Sequence, residues 1–126
     1  AVAALSEAGA RVTVVNRTRD RAEALAADLG AAAGGIETVR EARLIVNALS
    51  VRPELDMAGL GSDAVLMDMS YRPVITPFLA AGRARGLTTV DGLAMLIGQA
   101  RPSFEALFGL APPAVDVRTP ALEAAS

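Results

Sequence analysis

Six consecutive residues, Asn16-Arg17-Thr18-Arg19-Asp20-Arg21, gather a carboxamide, a hydroxyl and three guanidinium groups. Arg17 offers a fork of charge-assisted donors suited to a phosphate, and its plane can stack on an adenine. Thr18 sits where a helix N-cap belongs, ahead of RDRAEALAADL. Its hydroxyl and the first N–H groups of that helix would face the same anion. Arg21, one turn in, adds a second positive charge. In a doubly wound α/β fold the end of the second strand meets a ribose. An acidic residue there selects the 2′-hydroxyl, and an arginine nearby accommodates a 2′-phosphate. Cations are disfavoured at a helix N-terminus, so a cluster of them there favours a bound anion. A capped surface helix with solvated arginines is the alternative.

The elements that would position these groups follow from periodicity and punctuation. Ala1 to Ala8 reads as a helix ended by Gly9, and Arg11 to Val15 as a short β-branched strand. The helix after Thr18 is stopped by Gly30, with Ala22, Leu25, Ala26 and Leu29 forming one apolar stripe. Ala31 to Gly35 reads as a loop of small residues, and Ile36 to Ala42 as a turn or short helix. Further strands are expected at Arg43 to Asn47, Ala64 to Met69 and Leu87 to Val90. A Pro/Gly-punctuated connection occupies residues 51 to 63. Thr76-Pro77 starts a helix running to about Arg85. Gly92 to Ala100 and Ser103 to Phe108 read as helical with an interruption near Pro102, and a last helix begins at Thr119-Pro120. Short buried-type strands alternating with helices imply an α/β fold, a Rossmann-like parallel sheet with flanking helices.

Composition narrows the chemistry. With 126 residues, 52% of them hydrophobic and 21% charged, the chain reads as one globular domain. A net charge of −2 argues against a nucleic-acid polycation. There is no Cys and no His, which removes thiolate and imidazole metal ligands, so no metal site is expected. Every basic residue is Arg, so a Schiff-base lysine and a lysine acid are both impossible within these residues. No segment reaches the length of a membrane span, and the first ten residues carry no signal-peptide pattern. A cytoplasmic location and no membrane partner are expected.

Four segments resemble the C-terminal, NADP-binding part of the shikimate dehydrogenase family, and the resemblance runs from about Val2 to Leu122. Asn16-Arg17-Thr18-Arg19-Asp20-Arg21 resembles its Asn-Arg-Thr-x-x-Arg/Lys motif. Arg43-Leu44-Ile45-Val46-Asn47-Ala48-Leu49-Ser50 resembles its strand ending in Asn-Ala-Thr. Asp68-Met69-Ser70-Tyr71-Arg72-Pro73, followed by Thr76-Pro77-Phe78-Leu79, resembles Asp-x-x-Tyr-x-Pro…Thr-Pro-Leu-Leu. Asp91 to Ala100 resembles Asp-Gly-Leu-Gly-Met-Leu-x-x-Gln-Ala. Asn-Arg-Thr alone is shared with other NADP-binding domains, including that of glutamyl-tRNA reductase. The Tyr-x-Pro and Asp-Gly-Leu…Gln-Ala segments together are far more selective. Leu49 and Ala94 depart from the pattern, replacing a small hydroxyl residue and a glycine.

The resemblance implies a 2′-phosphate site at Asn16, Arg17, Thr18 and Arg21. It implies nicotinamide-side contacts at Met69 and Gly92, and substrate contacts at Tyr71 and Gln99. A soft apolar Met69 suits a nicotinamide face, and Tyr71 and Gln99 are donor/acceptor groups matched to a polyhydroxy acid. Each also has a plain reading, as core filler, solvated helix residue or turn residue. The implied activity is reversible hydride transfer between NADPH and 3-dehydroshikimate, in aromatic amino acid biosynthesis. The family's catalytic Lys and Asp pair lies in an N-terminal substrate domain, so no catalytic residue is expected among these residues. The resemblance further implies a partial domain over residues 1–126, lacking the first strand and the glycine-rich loop. That strand would belong between Arg11–Val15 and Arg43–Asn47. The chain alone is therefore expected to be inactive, weak in cofactor binding and marginally stable. A non-catalytic nucleotide-binding remnant and a quinate/shikimate dehydrogenase stand as alternatives, Arg17 speaking against the NAD preference of the latter. Oligomeric state is not legible.

Overall fold

The computed structural model describes residues 1–49, 53 and 55–125, and the side chains of all of these but the last. The connection expected over residues 51 to 63 falls partly outside the described residues, as does Ser50 of the Asn-Ala segment. The chain divides into two compact units, Ala1–Glu41 and the residues from Ala42 onward.

The first unit runs α1 (Val2–Glu7), β1 (Thr13–Val15), α2 (Arg19–Asp28), β2 (Ala32–Gly34) and a 3₁₀ turn over Ile36–Glu41. β1 and β2 are parallel, with Thr13 opposite Ala32 and Val15 opposite Gly34. The strand β2 corrects the expected loop of small residues. Alanine and glycine carry little intrinsic strand preference, so tertiary pairing decides here. Ala32 donates to the Val12 carbonyl at 2.9 Å. A Cβ at Gly34 would lie 2.8 Å from Thr13 Cγ2 and 2.9 Å from Thr38 Cγ2, so close packing demands the glycine. The expected apolar stripe of α2 is only half used. Ala22 and Ala26 are buried, whereas Leu25 and Leu29 are exposed. Gly30 closes the helix at φ 65°, a conformation that favours glycine.

The second unit runs β3 (Leu44–Asn47), a 3₁₀ turn at Met57–Gly59, β4 (Val65–Asp68), α3 (Pro77–Ala84), β5 (Thr88–Val90), α4 (Gly92–Phe108) and α5 (Arg118–Ala125). Its sheet has the order β3-β4-β5, all parallel. The core forms where α3 covers the sheet: Leu66, Phe78 and Leu79 are at most 1% exposed. Gly82 of α3 lies against Leu66, where a Cβ would collide with that side chain. The expected break near Pro102 does not occur, because α4 is continuous through it. Proline there costs the bond to the Gly98 carbonyl. The helix holds on either side: Ser103 Oγ donates to the Gln99 carbonyl at 2.9 Å, and Phe104 and Phe108 stack at 4.5 Å.

β1 and β3 belong to different sheets, and each has one strand neighbour among the described residues. Among those residues no helix is long and apolar enough to cross a membrane, and no cluster of side chains could hold a metal ion.

Candidate functional site

The expected site residues fall in both units. In the first, Asn16, Arg17, Thr18 and Arg21 meet where β1 ends and α2 begins. The Asn16 side-chain oxygen accepts from the Thr18 amide at 2.9 Å and turns the chain into the helix. Thr18 is the N-cap, in extended conformation, but its hydroxyl makes no capping bond. The amides of Arg21 and Ala22 return to the Thr18 carbonyl at 3.2 and 3.3 Å. The hydroxyl and the first N–H groups of the helix are left for another acceptor.

The three arginines separate in role. Arg19 Nε binds Glu23 at 2.7 Å, and that bond raises the Arg19 pKa further. Such an i, i+4 pair is ordinary helix-surface chemistry. Arg17 and Arg21 are exposed and make no hydrogen bond or ion pair among the described residues. Two unpaired guanidinium groups thus flank an uncapped helix start, a donor set that fits a phosphate monoester.

In the second unit, Met69 and Tyr71 lie on the segment between β4 and α3. This segment is fixed by Asp68, which is 1% exposed. Its Oδ1 accepts from the Ser70 amide at 2.9 Å. Its Oδ2 accepts from Thr76 Oγ1 at 2.7 Å and Asn47 Nδ2 at 3.2 Å. One carboxylate therefore ties both ends of the Met69–Ile75 loop. Thr76 passes the constraint on by accepting from the Leu79 amide at 3.3 Å, and Asn47 by accepting from the Leu49 amide at 3.2 Å. Met69 is half-buried, and Tyr71 is exposed with the Arg72 guanidinium 5.9 Å from its ring centre. The Arg72–Pro73 peptide is cis.

Gly92 opens α4 directly against that loop. A Cβ on it would lie 2.5 Å from the Ser70 carbonyl oxygen and 2.7 Å from that of Met69. Only glycine fits there, so Gly92 and Met69 are brought together by packing. Asp91 caps α4, accepting from the Ala94 amide at 2.9 Å. It also receives Arg118 from α5 at 2.7 Å. That bond from Arg118 holds the Asp91 carboxyl below its ordinary value, with the Ala94 amide adding to the effect and burial opposing it. Gln99 is exposed about two turns further along α4. The side chains of Tyr71 and Gln99 make no hydrogen bond among the described residues. An apolar groove of about 250 Å³ between α4 and the segment after it, lined by Phe104, Pro112 and Val115, includes none of these residues.

Asn47, Asp68, Thr76 and Asp91 stand within the sequence motifs, Thr76 as a helix start, but none is a site residue by sequence. Polar residues at strand ends and just ahead of helices were the available signal. Arg118 had none, because its partner is 27 positions away.

No protein-family model matches the chain. A shikimate dehydrogenase (NADP(+)) of Caulobacter vibrioides is 46% identical over 98% of the chain and 48% of the relative. One of Rhodospirillum rubrum is 44% identical over 87% of the chain and 45% of the relative. The chain spans about half the length of the curated relatives it matches. Among solved structures, shikimate 5-dehydrogenase of Thermus thermophilus, in complex with NADP(H) and shikimate, superposes with a TM-score of 0.80. It is 40% identical, over 87% of this chain and 44% of that one. Quinate dehydrogenase of Corynebacterium glutamicum, in complex with NAD, gives a TM-score of 0.76 at 30% identity, over 89% and 46%.

Proposed function

This chain belongs to the shikimate dehydrogenase family, and from that premise we propose that residues 1–126 form part of the NADP-binding region of such an enzyme. The reaction is the reversible conversion of 3-dehydroshikimate and NADPH to shikimate and NADP⁺. The observation that carries the cofactor assignment is the pair of unpartnered arginines, Arg17 and Arg21, beside the uncapped start of α2.

NADP supplies the hydride donor and acceptor when bound. The chain's own residues bind and orient it. Arg17 and Arg21 neutralise a 2′-phosphate, Thr18 and the first amides of α2 donate to its oxygens, and Asn16 holds the turn that aims them. Met69 offers an apolar face to the nicotinamide side. Gly92 keeps the start of α4 close to the Met69 carbonyl, so the loop and helix form one wall. Tyr71 and Gln99 carry free hydrogen-bonding groups suited to the hydroxyls and carboxylate of the substrate. These residues contain no lysine and no histidine. Neither of the two commonest nitrogen bases for proton transfer is therefore supplied by residues 1–126.

The test is calorimetric titration of the protein with NADP⁺ and NAD⁺. NADP⁺ is expected to bind more tightly, and Arg17→Ala to weaken it by about tenfold or more, as loss of a charge-assisted bond predicts. NAD⁺ binding should be unchanged. Equal affinity for the two nucleotides, or an Arg17→Ala variant that binds NADP⁺ as well as the parent, refutes the assignment. It would also favour the NAD-linked quinate enzymes of similar fold.

A further inference from the structure

Helix α5 carries no residue of the site, yet it is fastened to both segments of the second unit that do. At its first residue, Arg118 places Nη2 2.7 Å and Nη1 3.3 Å from the two oxygens of Asp91, a fork on a buried carboxylate. Near its other end, the Ala124 carbonyl accepts from Arg72 Nη2 at 3.1 Å. Arg72 is the neighbour of Tyr71, and Asp91 the neighbour of Gly92. The start of α5 is itself held by Asp116, which accepts from the amides of Arg118 and Thr119 at 2.9 and 3.2 Å.

The contacts form an unbroken line. Arg118 grips Asp91. Asp91 caps the first turn of α4 through Ala94. Gly92 in that turn abuts the carbonyls of Met69 and Ser70. A forked guanidinium fixes a carboxylate in rotation as well as in distance, which a lysine cannot do.

We propose that Arg118 is a positioning residue. By clamping Asp91 it sets the first turn of α4 against the Met69 loop, and so sets the wall that receives the nicotinamide half of NADP. This rests on the NADP reading above. Arg118 touches neither cofactor nor substrate in this scheme and acts through Asp91 and Gly92.

The experiment compares two ligands on one protein by calorimetry. The compound 2′,5′-ADP carries the adenosine half with its 2′-phosphate and no nicotinamide, whereas NADP⁺ carries both halves. Arg118→Gln is expected to weaken NADP⁺ binding about tenfold, the size found for substitutions along coupling networks, and to leave 2′,5′-ADP binding within about twofold. Asp91→Asn should do the same. Arg118→Lys, which keeps the charge and loses the fork, should recover part of the affinity. Equal losses for the two ligands, or no loss for either, overturn the proposal. So does a parent protein that binds NADP⁺ no more tightly than 2′,5′-ADP, since the wall then contributes nothing. A parent that binds neither ligand overturns the NADP reading itself, a failure distinct from the other three.

Discussion

The two units hold their site residues in opposite ways. In the first, the polar groups at the mouth of α2 are left over: Arg17, Arg21 and the Thr18 hydroxyl answer to nothing else among the described residues. Its core is correspondingly slight, with Ala22 and Ala26 the buried side chains of α2. In the second, Asp68 serves three donors and Asp91 two further groups, over a core of Leu66, Phe78 and Leu79. One unit leaves its charge unspent, and the other uses its polar groups internally to hold a surface in shape. Charge recognition tolerates a lightly packed support because it acts over several ångströms. A wall against a ring tolerates it less, since a gap of about 0.5–1 Å forfeits a quarter to a half of each contact.

The contrast is sharpest in the cores. Phe78→Ala should cost about 3–5 kcal/mol, as a buried aromatic truncation does. Ala22→Gly in the first unit should cost about 1 kcal/mol. Urea unfolding of the two variants measures the gap, and equal losses would mean that the units do not differ in packing as described. At the site itself, Gly92→Ala must push apart α4 and the Met69–Ser70 carbonyls, at about 1–3 kcal/mol. Arg17→Ala should leave the unfolding midpoint within experimental scatter, because an exposed, unpaired side chain supports nothing. A Gly92→Ala variant as stable as the parent would break the comparison.

The smallest effect is one of pH. Asp91 is held below its ordinary value of 3.8 by Arg118, with the Ala94 amide assisting. A carboxyl lowered on folding contributes stability that is fully present above the ordinary value and lost as pH falls through the lowered one. Acid should therefore loosen the junction of α4 and α5 below about pH 4. Tyr71 is the sole tyrosine, and its neighbour Arg72 binds α5, so tyrosine emission followed from pH 5 downward reports the loosening. In Arg118→Gln the transition should move to higher pH.

Most elements were legible because they carry local signals: β-branched residues in β1, β3 and β5, Thr76-Pro77 opening α3, and glycines closing helices. The failures share one cause. β2 is made of Ala32, Ala33 and Gly34, residues that state no preference and take one from β1. Leu25 and Leu29 have helical spacing but no surface to cover within their unit. Pro102 signals a break locally, yet α4 runs through it, with the Ser103 hydroxyl on the Gln99 carbonyl and Phe104 against Phe108. The charged cluster at residues 16 to 21 stood out because type and spacing alone concentrate charge there. The Asp68 and Asp91 networks did not, because a carboxylate reveals its partners only when strands 21 positions apart, or helices 27 apart, are laid side by side.

The pairing of Arg118 with Asp91 also turns the C-terminal region into a clock for proteolysis. Trypsin cleaves after basic residues but not before proline. Arg72 and Arg101 each precede a proline and are spared, whereas Arg118 precedes Thr119. A docked Arg118, its guanidinium committed to a carboxylate and its peptide inside a helix, cannot enter the protease cleft. Scission there proceeds only through the fraction of molecules whose last helix has swung free. The rate at which the cut after Arg118 appears under trypsin then follows that fraction.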